Sequence, residues 1–251
     1  MDNLESPAGL ALLALIFIAA VLYSSVGHGG ASGYLAAMAL FGMAPAAMKP
    51  LALAMNIAVA GLGFFRLYRA GYFNARLFLP FALGSIPAAY AGGAWKLQDT
   101  TYRYIVGAAL MIAAIRMFMD YQRDGELRRP PHLLAFGIGA VIGLLSGLTG
   151  VCRGIFLSPV LLMLNWTSMR ESAAIAAAFI LVNSVAGLAG YAGSAHAAWP
   201  PNLWLFVAVA LAGGIVGSEL AVRRLAPHKL KMLLGVVLVI AGGKMILTTG
   251  A

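Results

Sequence analysis

Two glycine-rich clusters carry most of the chemistry this chain offers. The first is Gly27-His28-Gly29-Gly30, and the second runs Gly147-Leu-Thr-Gly150-Val-Cys152-Arg153-Gly154. Each interrupts a long apolar run. Such a break frees backbone groups that need partners, or a water-filled cavity, if they lie within hydrocarbon. The N–H groups that open the following segments, from about Gly29 and Cys152 onward, carry partial positive charge and favour an anion. Arg153 adds a guanidinium, which pairs with oxyanions through two parallel hydrogen bonds. A buried arginine is costly without a counter-charge. The eight acids, Asp2, Glu5, Asp99, Asp120, Asp124, Glu126, Glu171 and Glu219, include none in mid-helix. An anionic substrate would fill that role. The alternative is an Arg153 at the outer surface, reaching lipid headgroups.

His28 and Cys152 sit inside the two breaks. His28 has the chemistry to bond an anion or carry a proton near neutral pH, or simply to satisfy a backbone carbonyl. A lone buried cysteine is usually an inert small hydrophobe. Beside Arg153 and a helix amino end its thiol becomes more acidic, which would allow contact with a sulfur substrate. Asn56 and Asn183 are amides in apolar surroundings, whose partners are each other, backbone carbonyls or a ligand. The candidate binding set is His28, Gly29, Gly30, Asn56, Cys152, Arg153, Gly154 and Asn183. It contains no convincing acid–base pair and no metal cluster, so neither catalysis nor a cofactor is expected. The glycines also fit a plainer role, close packing of helices through small residues. Ser168-Met-Arg-Glu171 reads as a capping box, which makes Glu171 a helix cap rather than a proton carrier.

These residues must be held by membrane helices. The chain has 251 residues, of which 62% are hydrophobic and only 10% charged, and its mean hydropathy is +0.90. Soluble domains carry roughly a quarter charged residues. A crossing helix needs about 20 apolar residues, so the chain has room for about eight to ten crossings and little else. That excludes a pump with its own nucleotide-driven motor. The net charge of +9 is what the excess of Lys and Arg in cytoplasmic loops produces, and it does not signal nucleic-acid binding. The first apolar run, near Leu10, follows Asp2 and Glu5 with no basic stretch, which reads as a retained helix rather than a cleaved signal.

The pattern predicts helices over about 7–26, 48–67, 77–95, 101–119, 133–147, 168–191, 203–219 and 228–247. Short segments follow each break, to about Met43 and Asn165. The chain divides into a first transmembrane repeat (1–119), a cytoplasmic connector (120–131) and a second repeat (132–251). Sliding the halves by about 123 to 128 residues brings Gly27 onto Gly150, Asn56 onto Asn183, Gly107 onto Gly235 and Met117 onto Met245. Self-similarity at such a period marks a duplication. If each short segment reverses direction, 12 basic residues fall on the cytoplasmic side. Lys49, Lys96, Arg103, Arg153 and Lys244 are the five left outside or at membrane depth. That split favours five segments per half, in opposite orientations. The expected fold is an all-α integral membrane protein of two inverted repeats, with short broken or hairpin helices at the glycine motifs. Arg103 with Arg116, and Lys231 with Lys244, are spaced to reach opposite interfaces. Trp95, Trp166, Trp199 and Trp204 fit interfacial belts. His132, His196 and His228 lie near helix ends and read as solvated.

The Gly27-His28-Gly29-Gly30 pattern and its echo in Ser146-Gly-Leu-Thr-Gly150-Val-Cys-Arg-Gly154-Ile-Phe-Leu-Ser-Pro159 resemble the sulfite exporter TauE/SafE family. So do Arg69-Ala-Gly71-Tyr-Phe and Gly84-Ser-Ile-Pro87-Ala. The likeness spans essentially the whole chain. It implies a membrane carrier for small sulfur-containing anions such as sulfite, thiosulfate or sulfonates. The chain departs from the family where the second half usually shows a run of glycines, here Val151-Cys152-Arg153-Gly154, and where Ala36 stands opposite Pro159. These departures bear on substrate identity and suggest a more charge-dependent site.

The expectation is therefore a secondary transporter in a bacterial plasma membrane, with both termini outside. It would bind its anion between broken-helix amino ends at the midplane and move it by rocking one repeat against the other. Its partners would be that anion, membrane lipids and a possible second copy of itself, not nucleic acid. The alternatives are a passive anion channel and an intramembrane enzyme using Cys152 or His28.

Overall fold

The computed structural model describes residues 6–25, 30–118, 130–150, 153–222 and 227–247. These residues form ten helices and no strand. The first half holds α1 (Pro7–Ser25), α2 (Ala31–Leu40), α3 (Pro45–Arg69), α4 (Ala75–Ala94) and α5 (Asp99–Phe118). The second holds α6 (His132–Thr149), α7 (Arg153–Met163), α8 (Met169–Ala192), α9 (Leu203–Val222) and α10 (Pro227–Leu247). By length and composition α1, α3, α4, α6 and α8 can each cross a membrane. The segments after the two breaks, α2 and α7, have 10 and 11 residues, too few for a crossing of about 20.

Local chemistry sets the boundaries. Pro45 opens α3, where a missing N–H and a fixed φ cost nothing, so the helix begins earlier than the pattern from Met48 predicts. Gly71 takes φ +77 after α3, and Tyr72 N–H returns to the Leu67 carbonyl at 3.1 Å, a left-handed stop. Asn74 caps α4 by accepting from Leu77 N–H at 3.2 Å. Ser168 caps α8, accepting from Glu171 N–H at 3.4 Å. The Glu171 carboxylate accepts from Thr167 at 2.7 Å and from Asn74 at 3.2 Å, which ties the start of α8 to the start of α4. Glu171 is thus a cap and a clamp.

Glycine seams join the helices. Gly139, Gly143 and Gly147 of α6 lie directly against the backbone of Phe81, Ser85 and Ala89 of α4. A repeat of four residues places all three on one helical face. Both series rise together, so α4 and α6 run parallel. Phe17 and Val21 of α1 meet Gly213 and Gly217 of α9 in the same way. Val59 meets Gly214, and Arg66 meets Ser218 and Glu219, so α3 also runs with α9. Asn74 meets Glu171 and Tyr90 meets Gly190, so α4 runs with α8. In α5 and α10 the order reverses, Gly107 against Ile246 and Met111 against Gly242. Lys49, at the start of α3, reaches the end of α4, so those two neighbours are antiparallel. It follows that α1 and α6, α3 and α8, α4 and α9, and α5 and α10 each point in opposite directions.

Two sequence expectations, those for Lys244 and Trp166, need correction, and Lys49, expected outside or at membrane depth, has definite partners. Lys49 is 6% exposed, and its ammonium donates to the carbonyls of Gly92 at 3.1 Å, Gly93 at 2.8 Å and Trp95 at 3.2 Å. These belong to the carboxyl end of α4, where carbonyls lack helical partners and carry partial negative charge. Lys244 does not reach for an interface, because its ammonium donates to the Leu40 carbonyl at the end of α2, 2.6 Å away. Trp166 is buried against Phe81, ring centroids 6.2 Å apart, and belongs to no belt. Trp95, Trp199 and Trp204 are exposed, as the belt reading expects.

Candidate functional site

The first break ends at Gly30, which is buried and caps the amino end of α2. Tyr34 lies one turn further on, with its N–H bonded to the Gly30 carbonyl at 2.9 Å. Side chains on a helix lean toward its amino end, and the Tyr34 ring and hydroxyl lie across Gly30. The side chain is fully buried, and its hydroxyl has no hydrogen-bond partner among the described residues. Beside it the Ser32 hydroxyl donates to the Tyr23 hydroxyl at 2.7 Å, which fastens α2 to α1. Three hydroxyls thus gather around a helix amino end, on a helix whose other side chains, Leu35, Ala36 and Met38 among them, belong to the apolar core.

Asn56 and Asn183 are both fully buried, and their helices, α3 and α8, pack together. They differ in how they are satisfied. The Asn183 amide donates to the Phe179 carbonyl one turn back, at 2.8 Å, leaving only its oxygen without a partner. Both polar atoms of Asn56 lack one among the described residues. A buried, unpaired amide costs roughly 1–3 kcal/mol, so such a group is retained where something else needs it. The hydroxyls of Ser24, Ser158 and Ser172 are in the same state.

The second break resolves into two separate jobs. Gly147 belongs to the α4–α6 seam, against Ala89 and Gly93. Gly150 closes α6 in the left-handed conformation, at φ +77, and packs on Lys49 and Ala52 of α3. Tyr102 of α5 donates to the Thr149 carbonyl at 3.0 Å, holding the same corner. Arg153 and Gly154 form the first turn of α7 in their backbone. His28, Gly29 and Cys152 lie outside the described residues. Helix α2 packs on α1, α3, α5 and α10, and α7 on α5, α6 and α8.

Of the candidate set, Gly30, Asn56 and Asn183 stand as buried polar positions on α2, α3 and α8. Tyr34, Ser32 and Tyr23 were not among the candidates. Their one sequence signal is the spacing of Tyr34 four residues after Gly30, which puts its ring over the break. Among the described residues no cluster of His, Cys, Asp or Glu could hold a metal ion.

A helix bundle with short helices after paired glycine breaks, and with buried unsatisfied amides, fits a solute carrier. The family comparison decides which kind. The sequence profile of the sulfite exporter TauE/SafE family matches residues 12–245. The chain belongs to the sulfite exporter TauE/SafE family. As a TauE/SafE member it is 39% identical over 245 residues to the probable membrane transporter protein y4hK of Sinorhizobium fredii (strain NBRC 101917 / NGR234), covering 95% of this chain and 97% of that one. No solved structure matches it. This TauE/SafE chain is accordingly a multi-pass membrane protein of a transporter family.

Proposed function

We propose that the protein is a secondary transporter of a small sulfur-containing anion, such as sulfite, thiosulfate or an organosulfonate, in a bacterial plasma membrane. The observation that carries this is Asn56 of α3, a fully buried amide with neither polar atom partnered among the described residues of a transporter-family fold. A ligand with acceptor oxygens would satisfy its N–H groups. The amino end of α2 would add backbone donors, and Arg153 at the first turn of α7 would add charge. His28, Cys152 and Asn183 complete the proposed lining.

We propose further that the two halves are inverted repeats. The opposed directions of α1 and α6, α3 and α8, α4 and α9, and α5 and α10 support this. Alternating access would then come from rocking one half against the other around the bound anion. Arg66, Arg69, Arg76 and Arg170 lie at the end where α3 stops and α4 and α8 start. The positive-inside rule makes that end cytoplasmic and puts both termini outside.

Counterflow in proteoliposomes tests the reading. Vesicles loaded with unlabelled sulfite, thiosulfate or an alkane sulfonate should accumulate the labelled anion transiently and saturably. Flux proportional to concentration, with no counterflow, would make the protein a channel. No flux of any of the three would overturn the substrate class.

A further inference from the structure

Around the amino end of α2 a set of uncharged donors is arranged as a carrier site would arrange them. The first turn leaves the N–H groups of Ala31, Ser32 and Gly33 without acceptors inside the helix. All three residues are buried. The Tyr34 hydroxyl is brought back over Gly30, fully buried and without a partner among the described residues. A protein that needed only packing there would place a phenylalanine, since an unpaired buried hydroxyl destabilises the fold. The second half makes the same point by contrast. With Gly27 aligned on Gly150, Ser32 and Tyr34 fall on Ile155 and Leu157, so these two hydroxyls have no counterpart at the second break.

We infer that the amino end of α2 is the seat of the sulfur oxyanion and that the Tyr34 hydroxyl donates a hydrogen bond directly to it. The inference rests on the transport reading above and adds where the oxyanion docks. Neutral donors suit this task. They stabilise a partly dehydrated oxyanion without holding it so tightly that it cannot leave. Ser32, donating to Tyr23, fixes the turn that carries the donors. The hydroxyl-bearing seat lies in one half only, so the two repeats contribute unlike groups: hydroxyls and backbone N–H groups from the first, charge from Arg153 of the second.

The test is a thermal-unfolding and equilibrium-binding series on the purified full-length protein, with sulfite and with thiosulfate as probes. Wild type should bind at least one of them and gain thermal stability from it. Tyr34→Phe, which removes only the oxygen, should bind at least tenfold more weakly and lose that gain. Its unfolding temperature without anion should stay the same or rise. Gly30→Ala, whose Cβ must push the Tyr34 ring aside, should weaken binding as well. Wild-type affinity in Tyr34→Phe overturns the inference and leaves the transport reading standing. A lower unfolding temperature in ligand-free Tyr34→Phe also overturns it, because the hydroxyl would then serve the fold. A wild type that binds neither of these anions, nor an alkane sulfonate, overturns both.

Discussion

The ammonium of Lys49 lies 2.8 Å from the carbonyl oxygen of Gly93 and pins the start of α3 to the end of α4. The charge has no carboxylate beside it among the described residues. It is spread over three carbonyls and faces the Tyr191 ring, 5.8 Å from its centroid. Lys49→Met keeps the length of the side chain and deletes every donor. It should destabilise the protein by about 2 kcal/mol or more, because hydrogen bonds from a charged group are strong and the carbonyls stay buried. Reversible unfolding in mixed detergent micelles measures this, and an unchanged midpoint would make the cap energetically idle.

Two glycines of α6 should respond to the same substitution with opposite signs. A Cβ on Gly147 would run into the backbone of Ala89, which cannot give way as a flexible side chain can. Gly147→Ala should therefore cost about 1–3 kcal/mol. A Cβ on Gly137 meets nothing within 4 Å, and Gly137→Ala should stabilise by about 0.5–1 kcal/mol through the backbone entropy it removes. The paired variants, unfolded side by side, test whether the glycine repeat is a packing seam.

Asn56→Leu and Asn183→Leu probe the two equivalent amides. Replacing Asn56 removes an unpaired polar group, so the ligand-free protein should hold or gain stability while anion binding falls at least tenfold. Asn183 already bonds its own helix, and its loss should cost stability, of order 1 kcal/mol. Binding isotherms and unfolding curves on the same samples separate the two effects.

His196, in the loop between α8 and α9, gives a pH dependence of known sign. Burial, and then the nearby cations Lys49 and Lys96, hold its imidazole below the usual histidine range. The unfolded chain therefore takes up a proton before the folded one as pH falls. Stability is full above about pH 6.5, the ordinary histidine value, and declines as pH drops below it. His196→Gln should flatten that decline, and unfolding midpoints from pH 7.5 to 5 would show it.

The proposed membrane sidedness rests on the arginines. With Cys152 replaced by Ser, a cysteine introduced at Ala70, an exposed position with an ordinary backbone, should be shielded from an impermeant thiol reagent in intact cells. One introduced at Trp199 should be labelled. The reverse pattern would invert the proposed topology.

The existence of helices, and nearly all of their limits, were legible in the sequence. Runs of apolar residues bounded by Pro45, Gly71, Asn74, Pro131 and Ser168 leave a backbone little choice, because these boundary residues act locally. The breaks were equally visible, since glycine clusters interrupt hydrocarbon-length runs. What the sequence left ambiguous was the job of each glycine and each cation. Gly147 and Gly150 are three residues apart, yet one packs against α4 and the other turns the chain against α3. Only the placement of those neighbours separates the two roles. Lys244 looked like an interfacial charge and Lys49 was placed only outside or at membrane depth, but each satisfies the end of another helix. The partner there is a backbone carbonyl, which leaves no trace in residue type. Asn56 and Asn183 looked like twins by register, and the tertiary structure distinguishes them through one hydrogen bond to Phe179. Tyr34 carries no mark of a special role in the sequence, and only the folded chain lays its hydroxyl, unpartnered among the described residues, over Gly30. Local sequence fixes where helices start and stop, because caps and turns act within a few residues. Which buried polar group is satisfied depends on contacts between helices, and those exist only once the chain has folded.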